Sequence, residues 1–426
     1  MQKKEEKMKV LWFANTPCGA AELLMPDMQT GGWLKSLESE IIKYGCIELY
    51  VCFYWHSKIE PFKHNNTFYH PVYRKSGNTK LKRAIQRFLG RINNDQKEIA
   101  LLTTIVNKIN PDIIHIHGTE DNFGLVQQFI TIPTLVSIQG ILSPYSKKYY
   151  SGISKEEANK NESLLSKLLF NSYDYWFRYM KFCAARERKI FSLSKNIMGR
   201  TDWDKSITNL LTPDSNYFIG NEMLRSCFYD NKWKDKDTTT FIPFKITTTI
   251  SGGLYKGLET IVDTAKLIKE QTDIEFQWDI IGQSSNSSLS VLVAKLKQTD
   301  FKEFNINLLG IRNANEIVEN LRDAHLYCQV SHIENSPNSV CEAMLLGMPI
   351  IASFVGGTDT IIEHNKEGIL FQDGDPYRLA GIIVDVYNNF TRIKEMAKSG
   401  GRAAENRHDK NLITTGLINV YKKITT

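Results

Sequence analysis

SHIENSPNSVCEAMLLGMPIIASFVGGTD (331–359) runs from the end of one apolar segment, through a helix, into another. A strand is expected to end near Ser331. Ser336 reads as an N-cap, Pro337 suits the first helical turn, and the helix runs to Gly347. Backbone N–H groups near Asn338, Ser339 and Val340 then point out of the helix start. With the helix dipole they form an anion site suited to a diphosphate. Glu334 lies in the loop before the helix and Glu342 on its second turn, with seven residues between them. One carboxylate can face a crevice while the other accepts hydrogen bonds from a ribose diol. A capped surface helix carrying two solvated glutamates fits the same residues.

Working outward, short β-rich runs alternate with helical patterns from end to end, the mark of βα units and parallel sheets. In the first half KVLWFAN (9–15), PDIIHIHG (111–118), TLVSIQG (134–140) and KIFSLSKNIMGR (189–200) carry strands. Residues 33–45 have helical spacing and end at Gly45. A second series of strands is expected at 244–253, 274–282, 304–310, 324–331 and 348–353. YDNKWKDKDTTT (229–240) is polar and without apolar periodicity, and reads as a linker. The expected fold class is α/β, with a Rossmann-like domain over 1–228, a second over 241–408, and a helix over 409–426 that packs back on the first. Such domains bind ligands beyond the carboxyl ends of their strands.

Length and composition agree. The chain has 426 residues, 42% hydrophobic and 23% charged, which excludes a disordered chain, a collagen-like fibre and a disulfide scaffold. No apolar run reaches membrane-spanning length, and VLWFAN is too short for a signal-peptide core. The seven cysteines are scattered without a CxxC pair and read as reduced cytosolic thiols. A net charge of +6 suits anionic partners such as nucleotide phosphates or lipids. No recognised nucleic-acid motif accompanies the basic residues.

ISGGLYKGLE (250–259) places a Gly-Gly turn and Lys256 just before a helix. Glycines admit phosphate close to the backbone, and the lysine can neutralise a leaving diphosphate. A plain βα turn with an exposed lysine is the alternative. GGLYKGLE, IEFQWDIIG, NLLGIRNANEIV (307–318), the two glutamates, EAMLLGMPIIAS, VGGTDTIIEHNKEGILF (355–371) and DGDPYRLA (373–380) stand in one order over residues 244–390. In that order and spacing they resemble the donor-binding half of retaining glycosyltransferases of family four. The first half resembles the acceptor half more loosely, through GGW (31–33), DIIHIHG (112–118) and GRTDWDK (199–205).

The resemblance implies a GT-B fold, two Rossmann-like domains facing across a cleft. It implies transfer of a sugar from a nucleotide diphosphate to a glycan or lipid-linked glycan acceptor, in cell-surface polysaccharide synthesis. Anomeric configuration is retained, with no metal and no cofactor besides the nucleotide-sugar co-substrate. Carried over, Glu342 binds the ribose and Glu334 faces the sugar hydroxyls. Lys256, with Gly252 and Gly253, holds the diphosphate. Gly310, Ile311 and Arg312 lie near the base, Gly31 and Gly32 near the sugar-phosphate, and His117 beside the sugar. Where the family usually has an arginine, five residues before the lysine, this chain has Ser251. Arg200 or Arg312 could supply the second cation. A catalytically weak nucleotide-sugar-binding module is the alternative that Ser251 keeps open.

His115 and His117 are expected on opposite faces of their strand, one structural and the other at the site. Asp202 to Asp204 and Asp373 to Asp375 are read as helix starts rather than metal ligands. KLKRAIQRFLGR (80–91) is basic and amphipathic. It suits either an anionic membrane or a solvated face on its own domain. The expected location is the cytoplasm, at the inner face of the membrane where that helix binds it. Tyr145, Lys147, Lys148, Tyr149 and Tyr150 are expected to line an acceptor groove or form a mobile loop.

Overall fold

The computed structural model describes residues 7–25, 32–74, 80–88, 95–236 and 243–426, with only the backbone of 80 and 86–88. Gly31 and residues 89–91 therefore lie outside the described residues.

The chain forms two units. The first comprises Met1–Ser146, Ser163–Met223 and His408–Thr426; the second comprises Lys147–Glu162 and Leu224–Arg407. Among the described residues the first unit's sheet has eight strands: β1 (Met8–Ala14), β2 (Ile47–Trp55), β3 (Phe62–His64), β4 (Thr67–Tyr73), β5 (Ile113–His117), β6 (Thr134–Ser137), β7 (Asn196–Gly199) and β8 (Asn216–Ile219). Their order is β3-β4-β2-β1-β5-β6-β7-β8. Only β3 is antiparallel, paired with β4. Central strands covered on both faces read as apolar runs, so β5 is buried at all five positions.

The second unit holds β9 (Phe244–Thr249), β10 (Phe276–Ile281), β11 (Ile306–Gly310), β12 (Leu326–Gln329), β13 (Ile350–Ser353) and β14 (Ile369–Phe371). All are parallel, in the order β11-β10-β9-β12-β13-β14. Strand order reverses between β9 and β12 here, and between β1 and β5 in the first sheet. Ligands enter doubly wound sheets at such points.

Several expectations change. Within 189–200 the expected strand is β7, and residues 189–193 before it end the helix Tyr173–Leu193. Residues 147–162 and 224–228, expected in the first domain, group with the second unit. Lys148 Nζ lies 3.2 Å from Asp373 Oδ2, and Phe228 is buried in a core cluster with Val340 and Leu345. The front of the expected linker is docked too. The Trp233 backbone N–H donates to the Leu346 carbonyl at 2.8 Å and its indole N–H to Ala324 at 2.8 Å. One tryptophan anchors a stretch that its charged neighbours make look solvated.

The helix Lys410–Thr425 joins the first unit through Tyr421. That hydroxyl accepts from Trp12 Nε1 at 2.9 Å and meets His115 Nδ1 at 2.6 Å. Among the described residues no helix is long and apolar enough to cross a membrane.

Candidate active site

In the second unit, β9 leads through Ser251, Gly252 and Gly253 into a short turn, Leu254–Lys256. Gly257 follows with φ 77°, and a Cβ there would sit 2.1 Å from the Val330 carbonyl just past β12. Glycine thus lets the loops after β9 and β12 touch. The contact brings Lys256 Nζ to 2.5 Å from Glu334 Oε1. Burial works against the lysine's charge, but Glu334 and Tyr255 outweigh it and hold its pKa above the ordinary lysine value. Beside Gly252 the space is open, and Ser251 is exposed.

Glu334 is placed from behind. Gly356, with φ 52°, brings its Cα so close that a Cβ would lie 1.8 Å from the Glu334 carbonyl oxygen. The Gly357 N–H donates to that same oxygen at 3.1 Å.

The helix Asn338–Leu346 ends at Gly347, whose φ is 81°. Its N-cap is Pro337 rather than Ser336. The Pro337 carbonyl accepts from Val340 N–H at 2.9 Å and from Cys341 N–H at 3.2 Å. Val340 is thereby withdrawn from the anion site expected for it. Asn338 and Ser339 head the helix without intrahelical acceptors for their N–H groups.

Glu342 is buried, and Arg225 grips both its oxygens, Nε to Oε1 and Nη2 to Oε2 at 2.6 Å each. Burial pushes the Glu342 pKa up against the pull of Arg225. A carboxylate held in this bidentate way keeps further lone pairs for a diol. Arg225 went unnoticed in the sequence because 117 positions separate the pair.

Gly310, Ile311 and Arg312 stand at the carboxyl end of β11, two strands from β9. Gly310 has φ 73°. Ile311 is 87% exposed. Arg312 Nη1 lies 3.7 Å from Glu316.

His332 is a second residue that sequence reasoning missed. Its Nδ1 meets Asp373 Oδ1 at 2.5 Å and its Nε2 meets Glu259 Oε1 at 2.6 Å. Burial opposes the imidazolium, but the two carboxylates raise its pKa to about 9. Residues 147–162 cross this cluster at Gly152, where a Cβ would meet Glu259 Oε1 at 2.1 Å and His332 Nε2 at 2.4 Å. Asp373 therefore ties the crossing segment down. Asp375 caps the helix Pro376–Asn388 through the Arg378 N–H. Tyr149 of that stretch is buried with its ring 6.4 Å from that of Tyr255, while Tyr145 belongs to the first unit, its ring 6.4 Å from that of Trp203.

In the first unit, His117 ends β5 and is fully buried. Its ring lies 4.6 Å from Trp12, 5.8 Å from Trp33 and 3.8 Å from His115. The two histidines thus share a face, against expectation. A strand's side-chain period is two, so residues two apart point the same way. His115 is spent on Tyr421 and on Ser137 Oγ at 2.6 Å. Burial lowers its pKa to about 3. Burial first, then His115 and Arg200, also hold the His117 pKa well below the usual histidine value. Neither ring nitrogen of His117 has a hydrogen-bond partner among the described residues. It is a neutral imidazole free to bond a ligand hydroxyl.

Beyond His117, Gly118 turns with φ 101°, and a Cβ there would lie 2.2 Å from Glu120 Oε2 and 3.0 Å from Asn15 Nδ2. Burial raises the Glu120 pKa. Asn15 and Glu120 lie just past the carboxyl ends of β1 and β5 at the order reversal, and that position was the signal for both. Arg200 lies over the Trp33 ring at 4.6 Å, with Nε 3.8 Å from Glu222. Asp204 accepts from the Arg200 N–H at 2.9 Å, and Thr201 caps its helix. Gly32 opens the helix Gly32–Tyr44 with φ 58°.

Residues 246–407 match the family described as Glycosyl transferases group 1. The amylovoran biosynthesis glycosyltransferase AmsK of Erwinia amylovora is 29% identical over 30% of this chain and 32% of its own length. A D-inositol 3-phosphate glycosyltransferase of Jonesia denitrificans is 26% identical over 39% of this chain and 40% of its own. The chain thus spans about a third to two fifths of the length of these relatives. Sucrose-phosphate synthase from Thermosynechococcus elongatus superposes with a TM-score of 0.71 at 13% identity, over 98% of this chain and 99% of that one. HepE of Anabaena, solved with UDP and glucose, superposes at 0.64 and 14% identity over 97% and 99%.

Proposed function

We propose, from the match of residues 246–407 to the family described as Glycosyl transferases group 1, that this protein is a retaining glycosyltransferase. It moves a sugar from a nucleotide diphosphate to a glycan or lipid-linked glycan, in the synthesis of a cell-surface polysaccharide. Relatives named for amylovoran and colanic acid biosynthesis support that last point. One observation carries the reading: Lys256 and Glu334 meet at the order reversal of the second sheet, beside the start of the helix Asn338–Leu346.

In this reading the diphosphate lies on the N–H groups of Asn338 and Ser339, with Lys256, Gly252 and Gly253 around it. Glu342, fixed by Arg225, accepts from the ribose diol. Glu334 accepts from the sugar hydroxyls and His117 bonds the transferred sugar. Gly310, Ile311 and Arg312 border the base, and Gly31 and Gly32 the sugar-phosphate. Arg200 is the candidate second cation. The bond from the anomeric carbon to the diphosphate oxygen breaks, and the acceptor oxygen bonds to that carbon on the same face. The acceptor's proton passes to the departing diphosphate. Charge on the leaving group is met by Lys256 and the helix start, so no metal is needed. The basic helix Lys80–Phe88, within 80–91, makes peripheral contact with anionic lipid at the inner membrane face.

Thermal shift with UDP-, GDP- and ADP-sugars tests the donor site, since a ligand at 100 times its Kd adds about 2.7 kcal/mol. Labelled donor tests chemistry. Binding without transfer or hydrolysis of any donor would establish the binding-module alternative.

A further inference from the structure

Three loops of the second unit meet at one side chain that the sugar-transfer chemistry does not use. His332 lies just past β12 and just before Glu334. Its backbone N–H donates to the Tyr255 carbonyl at 2.8 Å, in the turn that ends at Lys256. Its ring reaches Glu259, on the helix Leu258–Gln271 that follows this turn, and Asp373, just past β14. One residue thus joins the loop that carries Glu334, the turn that carries Lys256, and the loop after β14.

The geometry fixes the state of the ring. Both ring nitrogens face carboxylate oxygens, at 2.5 and 2.6 Å. A neutral imidazole has one N–H, so one carboxylate would face a lone pair; the imidazolium donates to both. Burial opposes the Asp373 charge, but His332 and Lys148 hold its pKa below the ordinary aspartate value. The charged groups around the ring are Glu259 and Asp373 in contact with it, Lys148 at 3.2 Å from Asp373, and the Lys256–Glu334 pair on the adjoining loops. With the ring's pKa at about 9, the imidazolium persists through neutral pH. Glu259 has little else. Thr260 Oγ1 donates to its Oε1 at 3.2 Å, and its buried Oε2 has no partner among the described residues.

The segment 147–162 closes over this ring. Lys148 holds Asp373, the Tyr149 ring lies against Tyr255, and Gly152, with φ 78°, passes where a Cβ would strike both His332 and Glu259. Its helix Lys155–Asn161 receives Lys295 Nζ on the Asn161 carbonyl at 3.3 Å. We propose that His332 is a positioning residue: as an imidazolium it fixes the Lys256 turn and the Glu334 loop against each other and clasps residues 147–162 over them. The effect on donor binding rests on the sugar-transfer reading; the clasp does not.

The test is hydrogen exchange of the full chain read by mass spectrometry from about pH 7 to about pH 10, corrected for the intrinsic rate, with donor Kd for UDP-, GDP- and ADP-sugars on the same samples. In wild type the protection of 147–162 and 251–259 should fall as pH rises through about 9, while β5 in the first unit keeps its own. Each pKa unit by which the clasp favours the imidazolium is worth about tenfold in protection. Asp373→Asn keeps the ring but removes one carboxylate, so the midpoint should move to lower pH. His332→Gln should abolish the pH dependence of protection and of donor Kd. Gly152→Ala should free 147–162 at every pH. Protection flat with pH in wild type, an unmoved midpoint in Asp373→Asn, or loss at β5 in step with 147–162 overturns the clasp. Donor Kd that does not follow the exchange midpoint overturns the positioning role. Absence of donor binding at every pH, with the exchange midpoint intact, refutes the sugar-transfer reading and leaves the clasp standing.

Discussion

Lys256→Met deletes a charge while keeping the side chain's length. Lys256 Nζ is 2.5 Å from Glu334 Oε1, with side-chain exposures of 18% and 12%. Two losses with different signatures follow. Removing one partner of a covered ion pair costs about 3 kcal/mol, because the other charge stays without compensation. For a unit of this size that lowers Tm by roughly 6–12 °C. Lys256→Met with Glu334→Gln removes both charges and should recover most of that stability. Turnover behaves otherwise. A cation acting on the leaving diphosphate works mainly in the transition state, so its loss lowers turnover by about 10²–10³-fold. The double variant should not regain it. The assay is Tm, donor Kd and transfer rate for wild type, both single variants and the double. Near-normal turnover in Lys256→Met would refute the placement of the diphosphate. A double variant no more stable than Lys256→Met would refute the pairing argument.

Arg225→Met should leave the buried Glu342 carboxylate unsupported and weaken donor binding about 10–100-fold, the worth of one charge-assisted hydrogen bond; unchanged binding in an intact fold removes Glu342 from the ribose. His332 has its pKa raised from 6.5 to about 9, so its stabilising contribution is full below pH 6.5 and lost as pH rises through 9. Stability should therefore fall across that window by about 3 kcal/mol more in wild type than in His332→Gln; parallel pH profiles would contradict the imidazolium. Chelator should leave turnover intact, and activity lost to EDTA and restored by manganese or magnesium would show that a metal meets the leaving-group charge.

The second unit was legible where chemistry and spacing coincide. Gly-Gly turn, lysine, helix start and glutamate each lie within a few residues of a strand end, so Lys256 and Glu334 could be named before their contact was seen. Strand interiors were less legible in the first unit. IELYVCFYW (47–55) is β2, yet its aromatic mixture shows no clean alternation because both faces are covered. Long-range partners left no local trace, as with Arg225 on Glu342 and the carboxylates flanking His332. The cap at Pro337 was misplaced because serine is the stronger N-cap by frequency. The fixed φ of Pro337, −69°, puts its own carbonyl at the helix start instead.

The chain enters the second unit at residue 147, returns at 163, leaves again at 224 and returns at 408. Neither unit is therefore a continuous stretch of polypeptide. During synthesis β1 emerges first, but Trp12 waits for Tyr421, 409 positions later. The eight strands of the first sheet are all made by residue 219, but His115 gains its Tyr421 partner only after the second unit has been made. Contacts of that separation make folding slow. A nascent chain lacks the Tyr421 hydroxyl over Trp12 and His115 until its last residues are made, leaving an interval in which chaperones have work to do. Cutting the gene at the apparent boundary would yield two fragments, each missing part of its own unit.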